Sequence, residues 1–402
     1  MEPSQLKALL VSYTYKVNGR PTHIAGPPQD CARYLRERAV KLTFIEQPSP
    51  ISNDLTVTAT VWQQGHPVRV LRCPWTWPRL QDGRNIEQQA PGYYLGFKLS
   101  EWLATLYLLV RTWDRYDLYI GVEAVNAVVG VWLRRCRRVR WVVYDVIDYS
   151  PERFASPRLN RVFHWLDRWC AARVDFCWNQ TVRVEQARAQ RDGRLRSRQL
   201  VKPSGVSADR IRPLPLEAVE RHVVIYVGTL QARDGAWLML EALPAIVRAV
   251  PRCVLRIIGA GNEEPAMQRW LRAQGLEDHV HFLGMIGDPD IVEAWVAKSR
   301  VALAPYRDDA GSVKRYNDPS KPRLYLACGV PVVITRVPPV AEEIEREHAG
   351  VAVEDNPDAL AHGVIRLLRD EAWYRTCRDG ALRVAHRYTW DQIFDRLFHA
   401  MS

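Results

Sequence analysis

The sequence predicts an α/β protein made of two doubly wound parallel-sheet domains. Three observations predict it. After residue 220, short apolar runs alternate with amphipathic helical segments. The first half repeats that grammar less regularly. A chain of 402 residues with 47% apolar side chains is also long enough to bury two cores.

In the first half, Lys7 to Tyr13 and Lys41 to Glu46 read as strands flanking a helix that ends near Glu37. Thr56 to Val61 alternates as a further strand, and Gly96 to Val110 has amphipathic helical spacing. Leu118 to Val122 and Trp141 to Asp145 are apolar runs of the kind buried in parallel sheets. Cys73 to Pro78, CPWTWP, carries prolines that forbid a helix and reads as an irregular loop. Its tryptophans either pin that loop to the core or stack on a ligand. Arg188 to Arg198 is basic and reads as a helix end running into a loop. Ser204 to Leu216, SGVSADRIRPLPL, holds two prolines and no sustained period, so it reads as the linker. The expected domains are 1–218 and 219–385, with a last helix over 386–402.

In the second half, strands are expected at Val223 to Val227, Cys253 to Ile258, His279 to Leu283, Val301 to Pro305 and Val330 to Thr335. Ligands of such sheets sit outside the carboxyl ends of the strands. Gly228, Thr229, Gly259, Gly261, Gly284 and the loop from Tyr306 to Pro319 all fall there. Residues 301–335 carry the most information: strand, polar loop, helix from Ser320 to Cys328, and a stop at Gly329. A helix N-terminus beside Lys321 and Arg323 suits a phosphate, although an ordinary crossover with solvated basic residues has the same pattern.

Charge is unevenly distributed. Residues 1–218 hold 33 Lys and Arg against 20 Asp and Glu, net +13, and the remainder holds 23 against 25, net −2. An anionic partner is expected on the first half: a membrane surface, a phosphate-bearing substrate or nucleic acid. Nucleic acid is disfavoured because no binding motif accompanies the charge. The run Arg134 to Arg140 follows an apolar helix; it either complements that helix's dipole or meets anionic lipid. The eight cysteines form no C-x-x-C pair and read as reduced core residues. No apolar run reaches the roughly 20 residues a membrane span needs, and MEPSQLKALL lacks the pattern of a secretion signal. The expected location is cytoplasmic, with peripheral contact at the inner face of the membrane as an extension.

With these motifs in order, the second half resembles the donor domain of GT-B glycosyltransferases, most closely the retaining group-1, GT4-like enzymes. The residues that carry the resemblance are Tyr226-Val227-Gly228-Thr229-Leu230, Ile257-Ile258-Gly259-Ala260-Gly261, Val280 to Gly284, Ala304-Pro305-Tyr306, and Pro319-Ser320-Lys321 running into Tyr325 to Val333. Thr389-Trp390 is similar to the family's C-terminal segment, and Asp148 to Pro151 with Arg153-Phe154, and the later Trp165-Leu166-Asp167, to acceptor-domain segments of bacterial members. The resemblance implies two Rossmann-like domains facing a cleft, with a C-terminal helix packing back on the first. It implies transfer of a sugar from a nucleotide-sugar donor in the second domain to a glycan or lipid-linked acceptor in the first, in polysaccharide or glycolipid assembly, with no essential metal. Donor contacts are then expected from Gly228, Thr229, Gly259, Gly261, Gly284, Tyr306, Pro319, Ser320, Lys321 and Arg323, with Lys321 and Arg233 meeting the charge of the leaving diphosphate.

Two positions depart from the family pattern. Asp234 stands where many members have a lysine, and Leu324 where many have a glutamate that binds the donor ribose. They motivate a second reading, a non-catalytic GT-B subunit that acts as a binding or scaffold partner. On the acceptor side, Glu123, Asp145 and Asp148 end predicted strands. They either hold a pair of metal ions, or orient the acceptor hydroxyl, with Glu123 and Asp148 in catalytic roles, as the resemblance favours, or cap and pair locally with Arg153. Asn18, Gly19 and His23, in the loop Lys16 to Gly26, are further acceptor candidates.

Overall fold

The computed structural model describes residues 1–14, 16–17, 20–21, 27–49, 52, 54–76, 91–154, 156–193, 195–309 and 312–402. The chain forms two compact units, Met1–Pro203 with Ile393–Ser402, and Ser204–Gln392.

Unit 1 runs β1 (Lys7–Thr14), a short antiparallel pair β2 (Lys16–Val17) and β3 (Arg20–Pro21), α1 (Pro27–Arg38), β4 (Lys41–Pro48), β5 (Thr58–Gln63), β6 (His66–Arg72), α2 (Pro91–Arg111), β7 (Tyr116–Val122), α3 (Glu123–Arg135), β8 (Val139–Val146), α4 (Pro157–Ala171), β9 (Phe176–Asn179), α5 (Val182–Asp192) and β10 (Arg198–Val201). Among the described residues its main sheet has eight strands in the order β10-β9-β8-β7-β1-β4-β5-β6. The strands from β10 to β4 are parallel, whereas β5 and β6 pair antiparallel at one edge. The apolar runs Ala8 to Val11 and Leu118 to Ile120 are fully buried, as a parallel sheet covered on both faces requires. The strand order reverses between β1 and β7, so their carboxyl ends open a crevice.

Unit 2 runs β11 (Glu220–Val227), α6 (Ala236–Ala249), β12 (Val254–Ile258), α7 (Glu264–Gln274), β13 (Val280–Phe282), α8 (Pro289–Lys298), β14 (Ser299–Ala304), α9 (Ser320–Ala327), β15 (Val332–Thr335), α10 (Val340–Arg346), β16 (Gly350–Val353), α11 (Pro357–Arg369) and α12 (Glu371–Arg387). Among the described residues its sheet has six parallel strands, ordered β13-β12-β11-β14-β15-β16. The order reverses between β11 and β14, and a ligand crevice opens there. One core cluster lies under α6 and α11 and a second under α8, α9 and α10.

The last helix, α13 (Trp390–Ala400), leaves unit 2, and from Ile393 on it belongs to unit 1. Within unit 1, the Phe394 and Phe398 rings lie 5.1 and 5.6 Å from that of Tyr34, whose hydroxyl donates to Asp395 at 2.7 Å.

Three differences from the sequence reading have physical causes. The units divide at Pro203/Ser204 rather than near 218, because Ser204 to Leu214 is tied into unit 2. Ser204 donates its amide and hydroxyl to Asp318 at 2.8 and 2.6 Å, the Arg212 amide donates to Ala327 O, and Arg378 donates to Leu214 O. The strands β2, β3, β6, β9, β10 and β16 add to the expected set; β9, β10 and β16 are only four residues long, which leaves little period to read. Seven cysteines are buried, but Cys136 is exposed, because it caps the open end of α3.

Candidate functional site

The site of unit 2 is built at the reversal point of its sheet. β11 ends at Val227 and delivers Gly228 and Thr229; β14 ends at Ala304 and delivers Pro305 and Tyr306. β12 delivers Gly259, whose amide donates to Gly284 O at 2.8 Å, so the loops after β12 and β13 close on each other. Tyr325 of α9 locks the helix to β11: its hydroxyl accepts from Val227 N at 2.9 Å and donates to Val227 O at 3.3 Å. That clamp places the start of α9, with Lys321, beside Gly228.

Contact there is close. A Cβ on Gly228 would collide with Lys321 Nζ and the Tyr226 hydroxyl. Gly228 is therefore the residue that leaves room for the ammonium group. Gly235 has φ +80, and a Cβ there would collide with the Pro305 carbonyl; only glycine allows α6 to start so near the β14 end.

Lys321 is half-buried, and among the described residues no hydrogen bond or ion pair ties down its ammonium group. Burial pushes it down to about 8, the Asp234 carboxylate opposes that, and Lys314 adds to it. Lys314, in the turn Val313–Arg315, has its Nζ 5.3 Å from the Tyr306 ring centre. The Lys321 and Lys314 cations thus act on each other in this crevice, with the Asp234 carboxylate beside Lys321, and this excess of positive charge favours an incoming anion. No side chain caps α9. Pro319 and Pro322 lack amide protons, so the donors at this helix start are the Ser320 and Lys321 amides.

Not every residue of the predicted set turns toward the crevice. Arg323 does not. It is buried against Asp318 at 3.1 Å and Glu343 at 2.8 Å, with the Tyr388 ring 4.0 Å away, so it holds α9 to α10 and the linker rather than a phosphate. Two residues are about half a helical turn apart, so Lys321 and Arg323 lie on different faces. Leu324 packs on the second core cluster. Tyr306 is buried and its hydroxyl has no hydrogen-bond partner among the described residues, while its carbonyl accepts from Thr335 at 2.6 Å. Thr229 and Ser320 are exposed, and Gly261 and Gly284 are partly so. Arg233 lies in the turn Ala232–Asp234, and its side chain falls outside the described residues.

In unit 1, Glu123 follows β7 as the first residue of α3, with φ +67. It accepts from the Asp148 amide at 3.2 Å and pairs with Arg153 at 2.8 Å, while Arg153 also donates to Asp148 O at 2.7 Å. Glu123 and the exposed Asp148 therefore share one corner beside the β1/β7 crevice. Asp145 does not join them. It is fully buried and paired with Lys202; burial pushes its carboxyl up while Lys202 opposes. On the β1 side, Lys98 donates to the Tyr13 hydroxyl at 3.1 Å and to Glu101 at 2.8 Å. Asn18, Gly19 and His23 lie outside the described residues.

Residues 221–370 match the family described as glycosyl transferases group 1. This stretch is a group 1 glycosyltransferase domain. Over the whole chain the fold is GT-B: sucrose-phosphate synthase from Thermosynechococcus elongatus superposes with a TM-score of 0.69 at 18% identity, covering 99% of this chain and 100% of that one. An Anabaena protein solved in complex with UDP superposes with a TM-score of 0.64 at 16% identity, covering 98% and 99%. In sequence, a D-inositol 3-phosphate glycosyltransferase of Saccharomonospora viridis is 28% identical over 223 residues, 49% of each chain. A GDP-mannose-dependent phosphatidylinositol monomannoside mannosyltransferase of Mycolicibacterium smegmatis is 30% identical over 202 residues, 46% of this chain and 50% of that one. The chain spans about half the length of the curated relatives it matches.

The group 1 domain contains the whole crevice around Lys321. Sequence reasoning missed Lys314 and Tyr325 as parts of it. Tyr325 had a signal, its place one helical turn after Lys321. Lys314 had none, because its approach to Tyr306 depends on the fold of the polar loop.

Proposed function

We propose that the protein is a retaining glycosyltransferase. Unit 2 binds a nucleotide-sugar donor, and unit 1 binds a glycan or lipid-linked acceptor of cell-surface polysaccharide or glycolipid assembly. The observation that carries this reading is the uncommitted Lys321 ammonium at the start of α9, packed against Gly228 inside the group 1 domain. As the glycosidic bond to the diphosphate breaks, charge accumulates on the phosphate oxygens. Lys321, Lys314 and the Ser320 and Lys321 amides are fixed donors that meet this charge without reorganising. Arg233 is a further candidate cation from the facing loop. Asp234 is accommodated because its charge offsets part of the repulsion between Lys321 and Lys314.

On the acceptor side, Glu123 and Asp148 orient and polarise the attacking hydroxyl, with Arg153 fixing the Glu123 carboxylate. UDP in one structural relative and GDP-mannose in sequence relatives support a nucleotide-sugar donor, and the phosphatidylinositol mannoside acceptor named for the latter supports a glycolipid product. The basic unit 1 suits peripheral contact with the inner face of a membrane. Among the described residues no helix is long and apolar enough to cross one. The test is release of nucleoside diphosphate from a panel of UDP-, GDP-, ADP- and dTDP-sugars, with and without lipid extract. Release from at least one donor is expected. Absence of both release and nucleotide binding across the panel would leave the non-catalytic reading instead.

A further inference from the structure

We infer that the outward face of α4, with the adjoining end of α3, is a docking surface for an anionic lipid bilayer. The residues exposed on α4 include Arg158, Arg161, Val162, Trp165 and Arg168. Their spacing of three and four puts them on one face of the helix. Trp165 is 57% exposed and Val162 53%. The one acid of the helix, Asp167, points the other way, buried against Arg188 and Arg191. The face therefore carries arginines and apolar groups with no carboxylate of its own helix.

α4 packs beside α3, whose last turn adds Trp132, 54% exposed, and Arg135, with Arg137 following. Among the described residues, Arg158, Arg161, Arg168, Arg135 and Arg137 have no carboxylate partner. Two exposed indoles and a valine, carried with these arginines on neighbouring helices, are poorly placed in water alone. They match a phospholipid interface, where indoles sit at headgroup depth and guanidinium groups reach phosphates above them. A folded acidic protein would need to present uniform negative charge and also receive bulky rings. Nucleic acid would meet the charge but leave Val162 and the outward indole faces without apolar neighbours. Unit 1 as a whole, with 32 Lys and Arg against 19 Asp and Glu, adds attraction of the same sign.

The inference rests on the glycolipid reading only for its purpose; docking is measured without donor or acceptor, so either can fail alone. The full chain is sedimented with phosphatidylcholine vesicles and with vesicles enriched in phosphatidylglycerol. Salt-sensitive binding to the second alone is expected. Arg161→Gln with Arg168→Gln should lower partition roughly 30-fold, from the usual contribution of each basic residue near a charged surface. Trp165→Ser should lower it as well. The pair Arg196→Gln and Arg198→Gln, elsewhere on unit 1, should change it little. Melting temperatures of these surface variants should match the parent, which separates lost docking from lost folding. The inference is overturned by absence of binding to the anionic vesicles, by binding that the α4 variants leave unchanged, or by retention on heparin without vesicle binding.

Discussion

Replacing Lys321 by methionine should weaken the anion site and at the same time stabilise the protein. The ammonium group is shifted from its ordinary 10.5 to about 8, chiefly by burial. A shift of that size corresponds to about 3 kcal/mol, and the partial exposure of the side chain brings the expected gain to about 2 kcal/mol. The unfolded chain binds the proton more tightly than the folded one between pH 8 and 10.5. Wild-type stability therefore carries the full penalty below pH 8 and recovers as pH rises through that window. For a unit of this size, Lys321→Met should raise the melting temperature at pH 7 by about 4–8 °C, and the advantage should vanish near pH 10.5. Nucleoside diphosphate affinity should fall roughly 10- to 150-fold, the loss of one charge-assisted hydrogen bond. Calorimetric melts at both pH values and a binding titration are the assays. A variant that melts below wild type at pH 7, or whose advantage persists above pH 10.5, would show that Lys321 is not held at a cost.

Other substitutions separate structure from site. Tyr325→Phe should cost about 1–3 kcal/mol by leaving the Val227 amide without its partner, and hydrogen exchange at that amide should accelerate while the rest of β11 stays protected. Gly235→Ala should cost about 3 kcal/mol or more, since strain at φ +80 adds to the collision with Pro305; a lowered urea midpoint is the readout. Arg188→Met should cost about 3–5 kcal/mol by removing two of the four hydrogen bonds that the buried Asp167 accepts, and adding Asp167→Leu should restore part of the loss. A double variant less stable than the single one would mean that the pair is not the source of the cost.

Most of the fold was legible because its parallel strands are continuous apolar runs bounded by glycine, as in Val223 to Gly228 and Val330 to Thr335. The short strands β9, β10 and β16 were not, since pairing on a neighbouring strand defines them more than their own pattern does. At the site, glycines at strand ends and Lys321 at a helix start were readable from position alone. Arg323 was misplaced because spacing cannot tell which of two basic residues two positions apart faces solvent; that depends on the carboxylates of Asp318 and Glu343, one in a loop and one on another helix. Asp145 failed for a similar reason, its partner Lys202 lying beyond two further strands in sequence. Long-range charge pairing leaves no local periodicity to read.

The most direct test of a diphosphate site at Lys321 is calorimetric titration of the whole protein with UDP and GDP at pH 8.5, in two buffers of different ionisation enthalpy. Near half-deprotonation of Lys321, an anion that restores its charge must draw in a fraction of a proton per site. Saturable binding with that uptake, absent in Lys321→Met, is the predicted result. Binding of neither nucleotide, or binding whose heat is the same in both buffers, would contradict it.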